Sequence, residues 1–239
     1  MLLIILNLSE FEAKQVLLSY EIPIPKGILI TDSKQTVSTL NNLKPPYMVK
    51  AQVPVSGRGK AGGIIPANSI DEAQDAVTRL LGAEIKSFLV NQVLIEEKLA
   101  TKKEVYLGFT VDRFNRCYVM LASKMGGMDI EELTAKTPQA IVRKPVDVRS
   151  GFRSFDALST AKRLGYCGDQ LVELSSIIQK LYRAAIENDA ELAEINPLIE
   201  TDTAGFVAAE MICLFGSVVV VVRGLREDCT GRRVVLVAM

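Results

Sequence analysis

Residues 191–215 read ELAEINPLIETDTAGFVAAEMICLF, and this stretch decides the fold class. The turn-forming Thr201-Asp202-Thr203-Ala204-Gly205 separates two strand-like runs, 191–199 and 206–215, so the stretch predicts an antiparallel hairpin. With Thr203 at the centre of the turn, Asn196 and Glu210 lie directly opposite each other and share one face. Glu194, two residues before Asn196, falls on that face as well. Three oxygen-bearing side chains among Leu, Ile, Val and Ala are costly to bury unless a partner satisfies them. Mg²⁺, a hard cation that takes one or two protein oxygens together with substrate phosphates, would be such a partner. A solvent-facing polar stripe on a half-exposed sheet is the alternative.

Outward from this hairpin the chain mixes helices with further strands. Residues 104–112 and 117–123 flank the polar turn 113–116 and predict a second hairpin. Over 170–188, Leu171, Leu174, Ile177, Ile178, Leu181 and Ala185 fall on one helical stripe. Ser9 and Glu12 form a capping-box pattern at the head of a helix over 9–20, with Phe11, Val16, Leu17 and Tyr20 as its apolar side chains. Strands are predicted over 27–30, 47–53 and 88–95, and helices over 33–41 and 71–81. This order predicts an α+β fold with mostly antiparallel sheets rather than a doubly wound parallel sheet.

The strand over 47–53 runs into a glycine-rich loop, and residues 50–63 read KAQVPVSGRGKAGG. Glycines allow successive backbone N–H groups to turn toward phosphate oxygens, while Lys50 adds a point charge from the strand. No Ser or Thr follows a GxxxxGK pattern, so the loop is not a Walker loop, and a flexible surface loop has the same composition. Local charge bears on the choice. Residues 33–70 hold Lys34, Lys44, Lys50, Arg58 and Lys60 with no acidic residue, whereas 184–222 hold Glu187, Asp189, Glu191, Glu194, Glu200, Asp202 and Glu210 with no Lys or Arg. A basic lobe opposite an acidic one suits a nucleotide polyphosphate and its magnesium; solvated surface charge is the plain alternative.

Composition excludes several classes. Lys+Arg and Asp+Glu both number 28, so no global basic field argues for nucleic acid or an anionic membrane. There are no histidines, which excludes Ser-His-Asp and Cys-His catalysis and His-ligated metals within this chain. Cys117, Cys167, Cys213 and Cys229 show no CxxC spacing and read as free thiols in a reducing compartment. Residues 1–6 lack the parts of a signal peptide and read as a buried first strand or an upstream start, and no apolar run approaches the roughly 20 residues of a membrane helix. The expected location is the cytoplasm.

Six stretches occur in a telling order: Asn7-Leu8-Ser9-Glu10-Phe11-Glu12-Ala13-Lys14, Val49-Lys50-Ala51-Gln52, Gly57-Arg58-Gly59-Lys60-Ala61-Gly62-Gly63, Glu104-Val105-Tyr106-Leu107-Gly108, Lys136-Thr137-Pro138 and Glu194-Ile195-Asn196-Pro197-Leu198. Together they resemble the amino-terminal, ATP-grasp part of the β subunit of succinyl-CoA synthetase, the ADP-forming succinate–CoA ligase, over residues 7–210. The resemblance implies an ATP-grasp fold, two α+β lobes clamping a nucleotide. Residues 1–20 and 101–215 would form the lobe with the metal hairpin, 21–100 the lobe with the phosphate loop and 216–239 an atypical tail, with the carboxy-terminal CoA-ligase domain absent.

The resemblance also implies roles. Lys50, Gly57, Arg58 and Gly59 match positions on the phosphates of ATP or ADP, Glu96 and Glu104 positions around the adenine and ribose, and Leu99 a further nucleotide-binding position. Asn196 and Glu210 match the Mg²⁺ ligands, and Glu194 matches a catalytic glutamate that steadies a phosphohistidine carried by the α subunit. That partner would supply the histidine this chain lacks and bind CoA; neither nucleic acid nor membrane is an implied partner. The implied reaction is succinate + CoA + ATP to succinyl-CoA + ADP + phosphate. A related synthetase using malate, acetate or citrate, and a non-catalytic Mg-nucleotide-binding fragment, are the alternatives.

Four departures stand out. Glu210 replaces the family's usual Asp, Pro54 stands where many members have His, and Ser123-Lys124-Met125-Gly126-Gly127 replaces Ser-Thr-Glu-Gly-Gly. Residues 211–239 match none of the family's continuation. Their five consecutive valines and RGLREDCTGRR follow neither strand nor helix periodicity, which reads as an out-of-frame or truncated end.

Overall fold

The structure, a computed structural model, describes residues 2–4, 8–55, 57–147, 149–202, 205–215, 218–220, 225–227 and 233–235. In chain order the first elements are β1 (Leu2–Ile4), α1 (Glu10–Ser19), β2 (Gly27–Ile30), α2 (Thr36–Leu40), β3 (Tyr47–Ala51), β4 (Ile64–Ala67) and α3 (Ile70–Leu80). There follow β5 (Glu84–Ile85), β6 (Phe88–Leu89), β7 (Val93–Glu97), β8 (Lys103–Asp112), β9 (Cys117–Ser123), α4 (Ile130–Lys136) and β10 (Ile141–Val146). The last are α5 (Ser154–Arg163), α6 (Gly168–Glu187), β11 (Ala190–Glu200), β12 (Phe206–Ala208), β13 (Met211–Phe215), β14 (Val218–Val220), β15 (Leu225–Glu227) and β16 (Arg233–Val235).

Two hydrophobic cores divide these elements. A small lobe gathers side chains between Ile30 and Ile95: the sheet β2-β7-β3-β4 is packed by α3, whose Ala73, Ala76, Val77 and Leu80 recur at helical spacing and are buried. A large lobe takes Ala13, Leu17 and Ile22 from the start of the chain together with side chains from Val105 to Cys213. Its sheet runs β10-β9-β8-β11-β12, with β13 also on β11, and α6 packs Leu174, Ile177, Ile178, Leu181 and Ala185 against it. Every strand pairing among the described residues is antiparallel, as the sequence predicts. No described helix is long and apolar enough to cross a membrane.

The deciding hairpin has the expected register. Leu198 lies opposite Ala208 and Ile195 opposite Met211, and the Asn196 N–H bonds the Glu210 carbonyl at 3.0 Å. Several elements differ from their prediction. The helix over 33–41 is a 3-10 turn, Ser33–Gln35, followed by the short α2, and the strand over 88–95 is broken into β6 and β7 because the chain first folds back on β5. Met211–Phe215 is strand on β11, as the predicted second arm of the hairpin requires, and Val218–Val220 pairs with β1. The expected burial of residues 1–6 and the remainder of the tail reading lie outside the described residues, as does Cys229; Cys117, Cys167 and Cys213 are free thiols, and burial pushes Cys213 up to about 11.

Candidate functional site

Glu10 occupies the first turn of α1, just after the Ser9 cap, and its helical neighbours Ala13, Lys14 and Leu17 share its face. These four are the buried residues of the helix. Of the expected apolar side chains Leu17 is buried, while Phe11, Val16 and Tyr20 are only half-buried: the inward face sets Ala13 and Leu17 in the large core and Glu10 and Lys14 against charges. Those charges come from the small lobe. On the β3–β7 ladder Lys50 lies opposite Leu94, so Glu96 is its diagonal neighbour on the same face.

Lys50 Nζ lies 2.8 Å from Glu10 Oε1, 2.8 Å from Glu96 Oε2 and 2.8 Å from the Ala209 carbonyl. Lys14 Nζ uses the same three partners, at 2.8 Å from Glu10 Oε1, 2.5 Å from Glu96 Oε1 and 2.7 Å from the Ala209 carbonyl. Each ammonium has three protons, so both are saturated. Pro197 supplies the reason that one carbonyl can serve both: it accepts the Ala209 N–H at 3.0 Å and has no N–H to return to the oxygen opposite. Arg58 completes the cluster by donating from one terminal nitrogen to Glu10 Oε2 at 2.8 Å and to Glu210 Oε1 at 2.5 Å. Three carboxylates thus face three cations, and Glu10, whose side chain has no exposed surface, touches all three cations.

Burial opposes charge throughout this cluster, and the outcome depends on the neighbours. For Glu10 burial pushes the carboxyl up, but Lys14, Lys50 and Arg58 together hold it far below its ordinary value. Burial also acts against the Lys50 ammonium and the Arg58 guanidinium, yet Glu10, Glu96 and Glu210 raise Lys50, and Glu10 and Glu210 raise Arg58. Lys14 goes the other way, lowered by burial and by the adjacent Lys50 charge against the pull of Glu10 and Glu96.

The glycine loop turns back on itself. Gly63 N–H and Ala61 N–H both bond the Arg58 carbonyl, and Gly62 N–H bonds the Gly59 carbonyl. These amides are used within the turn, so the expected cradle of consecutive N–H groups does not include residues 61–63; the loop presents the Arg58 side chain instead. Arg58 Nε is buried and has no partner among the described groups.

A cleft of about 700 Å³ opens beside the cluster, with Gly57, Arg58, Lys60 and Lys86 on the small-lobe wall and Asp129, Glu194, Asn196 and Glu210 on the other. Glu194 and Asn196 share a face as the hairpin predicts. Asn196 Nδ2 donates to Glu194 Oε1 at 3.1 Å and to the Met128 carbonyl at 2.8 Å, while Asn196 Oδ1 accepts the Gly127 N–H at 2.8 Å. Tyr106 Oη donates to Glu194 Oε2 at 3.1 Å. Burial pushes the Glu194 carboxyl above its ordinary value, and the charges of Asp129 and Glu210 push the same way against the bonds from Asn196 and Tyr106.

Of the residues singled out in the sequence, Gly57, Arg58, Glu194, Asn196 and Glu210 line the cleft, and Lys50 and Glu96 lie in the charge cluster. Gly59, Leu99 and Glu104 are not on its wall; the Glu104 carbonyl instead accepts the Gly126 N–H at 3.1 Å. Sequence reasoning missed Glu10, Lys14, Tyr106, Asp129 and Lys86. Glu10 and Lys14 left a signal, an acid and a base four apart in phase with Ala13 and Leu17. Tyr106 left none; in the structure Gly108 lies opposite Glu194, and a Cβ there would stand 2.6 Å from the tyrosine hydroxyl. Gly108→Ala is accordingly expected to force the buried ring off Glu194 and to lower stability by about 1–3 kcal/mol in urea denaturation; an unchanged midpoint would show that the ring can give way without loss.

The donors that meet in this cleft are all oxygens, which fits a hard divalent cation such as Mg²⁺. Asn196 Oδ1 keeps a second lone pair, Glu210 keeps the oxygen that Arg58 does not hold, and a cation would offset the burial and the neighbouring negative charge that raise Glu194. Among the described residues no three Asp, Glu or Cys side chains gather to hold a metal unaided, so further ligands must come with the cation.

The family model described as an ATP-grasp domain matches residues 7–200. The chain is 44% identical to the β subunit of an ADP-forming succinate–CoA ligase from Ignicoccus hospitalis, covering 86% of this chain and 54% of the relative. It is 40% identical to the β subunit of a GDP-forming succinate–CoA ligase from Thermus thermophilus, again over 86% and 54%. The chain spans about half the length of the curated relatives it matches. Among solved structures, an ATP citrate lyase from Methanothrix soehngenii shares the fold with a TM-score of 0.70 at 21% identity, covering 89% of this chain and 51% of that one. A dinucleotide-forming acetyl-coenzyme A synthetase from Ca. Korarchaeum cryptofilum does so with a TM-score of 0.68 at 20% identity, over 87% and 93%. With a family model running through both lobes and into the deciding hairpin, this chain belongs to the ATP-grasp domain family.

Proposed function

We propose that the cleft holds a magnesium nucleotide, ATP or ADP, and that the chain is the nucleotide-holding part of a succinate–CoA ligase β subunit. The observation that carries the reading is the meeting, across one cleft, of the Arg58 loop from the small lobe with Glu194, Asn196 and Glu210 from the large-lobe hairpin. Arg58 is the group suited to terminal phosphate oxygens, since it lines the cleft and its neighbours hold its guanidinium positively charged. Asn196 and Glu210 would hold Mg²⁺, which when bound neutralises charge on the phosphates. Glu194, fixed by Tyr106 and Asn196, is a buried acceptor at the cleft wall and could orient the N–H of an imidazole brought by another subunit.

In that role the chain contributes positioning and charge neutralisation rather than a nucleophile, which phosphoryl transfer does not require of it. The lack of histidine in the sequence supports a phosphohistidine on an α subunit, and succinate, CoA and ATP as the substrates of the complete ligase.

Titration calorimetry tests the reading. The purified chain is expected to bind Mg-ADP saturably, more weakly without Mg²⁺, and Asn196→Ala is expected to lose most of that metal dependence. An added α subunit would then be expected to accept phosphate from ATP in the presence of the chain. No heat and no thermal shift at millimolar nucleotide would overturn it.

A further inference from the structure

Glu10 lines the cleft, and its carboxylate joins three cations. Oε1 lies 2.8 Å from both Lys14 Nζ and Lys50 Nζ, and Oε2 accepts from Arg58 at 2.8 Å. With no exposed surface on the side chain and three donors on two oxygens, this carboxylate has little freedom to turn. Its backbone is held as firmly. The Ser9 capping box fixes the first turn of α1, Phe11 N–H bonds Gln52 Oε1 at 2.9 Å, and Gln52 Nε2 bonds the Lys50 carbonyl at 3.2 Å. The first turn of a helix whose Ala13 and Leu17 belong to the large core is thereby tied to β3, the strand that carries Lys50 and leads into the Arg58 loop.

Dry cations need a counter-charge to stay charged and in place. Lys50 and Arg58 are both buried, and burial acts against both charges; Glu10 makes the largest contribution in the other direction for each of them. The two carboxylates bonded to Arg58 are Glu10 and Glu210, and the reading above gives Glu210 to Mg²⁺. Glu10 is then the carboxylate left to hold the guanidinium. Through its other oxygen it holds Lys50, so two cations fixed by one carboxylate present a set spacing to an incoming polyphosphate.

We propose that Glu10 is a positioning residue of the nucleotide site: it touches no reacting atom, and it sets Arg58 and Lys50 at fixed places for the phosphates of Mg-ATP or Mg-ADP. This rests on the magnesium-nucleotide reading above. It also accounts for an acid at a fully buried place in α1, where an apolar side chain would fill the space and leave both cations without their shared anchor.

The test is calorimetric titration of the full chain with Mg-ADP, with thermal denaturation alongside, for wild type, Glu10→Gln, Arg58→Ala and the two changes together. Glu10→Gln is expected to weaken Mg-ADP about 10-fold in the wild-type background. In the Arg58→Ala background the same change is expected to cost no more than about 3-fold, the part carried through Lys50, because residues that act through one contact are not additive. A residue that only supports the fold would cost the same factor in both backgrounds. That result overturns the inference, as does wild-type affinity in Glu10→Gln, and either leaves the nucleotide reading standing. If Glu10→Gln does not fold, the double variant decides, since it removes one charge of each sign and keeps the cluster balanced. Affinity within about 3-fold of Arg58→Ala then supports the inference, and a further loss of about 10-fold overturns it. No binding by wild type overturns the reading and the inference with it.

Discussion

Replacing Glu10 with alanine is expected to destabilise the chain by about 3–5 kcal/mol, read from urea denaturation at pH 7. The reason is asymmetry. A buried ion cluster contributes little net stability when complete, but losing one member leaves its partners charged, dry and mutually repelling. Glu10 is the shared partner of Lys14, Lys50 and Arg58, so its removal exposes all three to one another. Glu10→Gln keeps the shape and loses the charge, and it is expected to cost nearly as much. It also gives a signature in acid. Because the folded-state carboxyl lies far below its ordinary value of 4.5, its contribution is fully present above that value and is lost as pH falls toward the folded value. Wild type should therefore lose stability more steeply than Glu10→Gln as pH drops below 4.5. Parallel curves for the two proteins would sink the argument.

Arg58→Ala is expected to weaken Mg-ADP by about 100-fold or more, the cost of removing a buried, hydrogen-bonded charge from beside an anionic ligand. Arg58→Lys should recover little of this. A lysine's point charge lacks the planar fork with which Arg58 bonds Glu10 and Glu210 from one terminal nitrogen and the Ala51 carbonyl from the other. Calorimetry decides the matter, with denaturation run beside it because Arg58 is also one of the links between the lobes. If lysine restores wild-type affinity, simple charge is sufficient and the fork has no role.

The fold was legible where apolar residues keep a period. The α6 stripe and the register of the 190–215 hairpin could be read directly, since Leu, Ile and Val recur with the spacing that each structure demands. It was illegible over 130–163. There α5 buries Asp156, Ala157, Thr160 and Ala161 and exposes Phe155, so its inward face carries no large apolar side chain to mark it. The site divided along similar lines. Glu194, Asn196 and Glu210 were found because strand geometry places them together. The part played by Glu10 was hidden because a glutamate in the first turn of a helix is ordinarily read as a favourable charge at an exposed helix start. Only the partner strands, distant in sequence, turn it into the centre of a buried cluster.

Pro197 carries a lesson for anyone who would graft this lobe onto another scaffold. Its missing hydrogen is what leaves the Ala209 oxygen to two lysines, one from a helix at the start of the chain and one from the other lobe. Proline, the carbonyl opposite and both lysines are therefore inherited together or not at all: a hairpin transplanted with an ordinary residue at 197 would arrive with its metal-facing side chains intact and its oxygen already claimed.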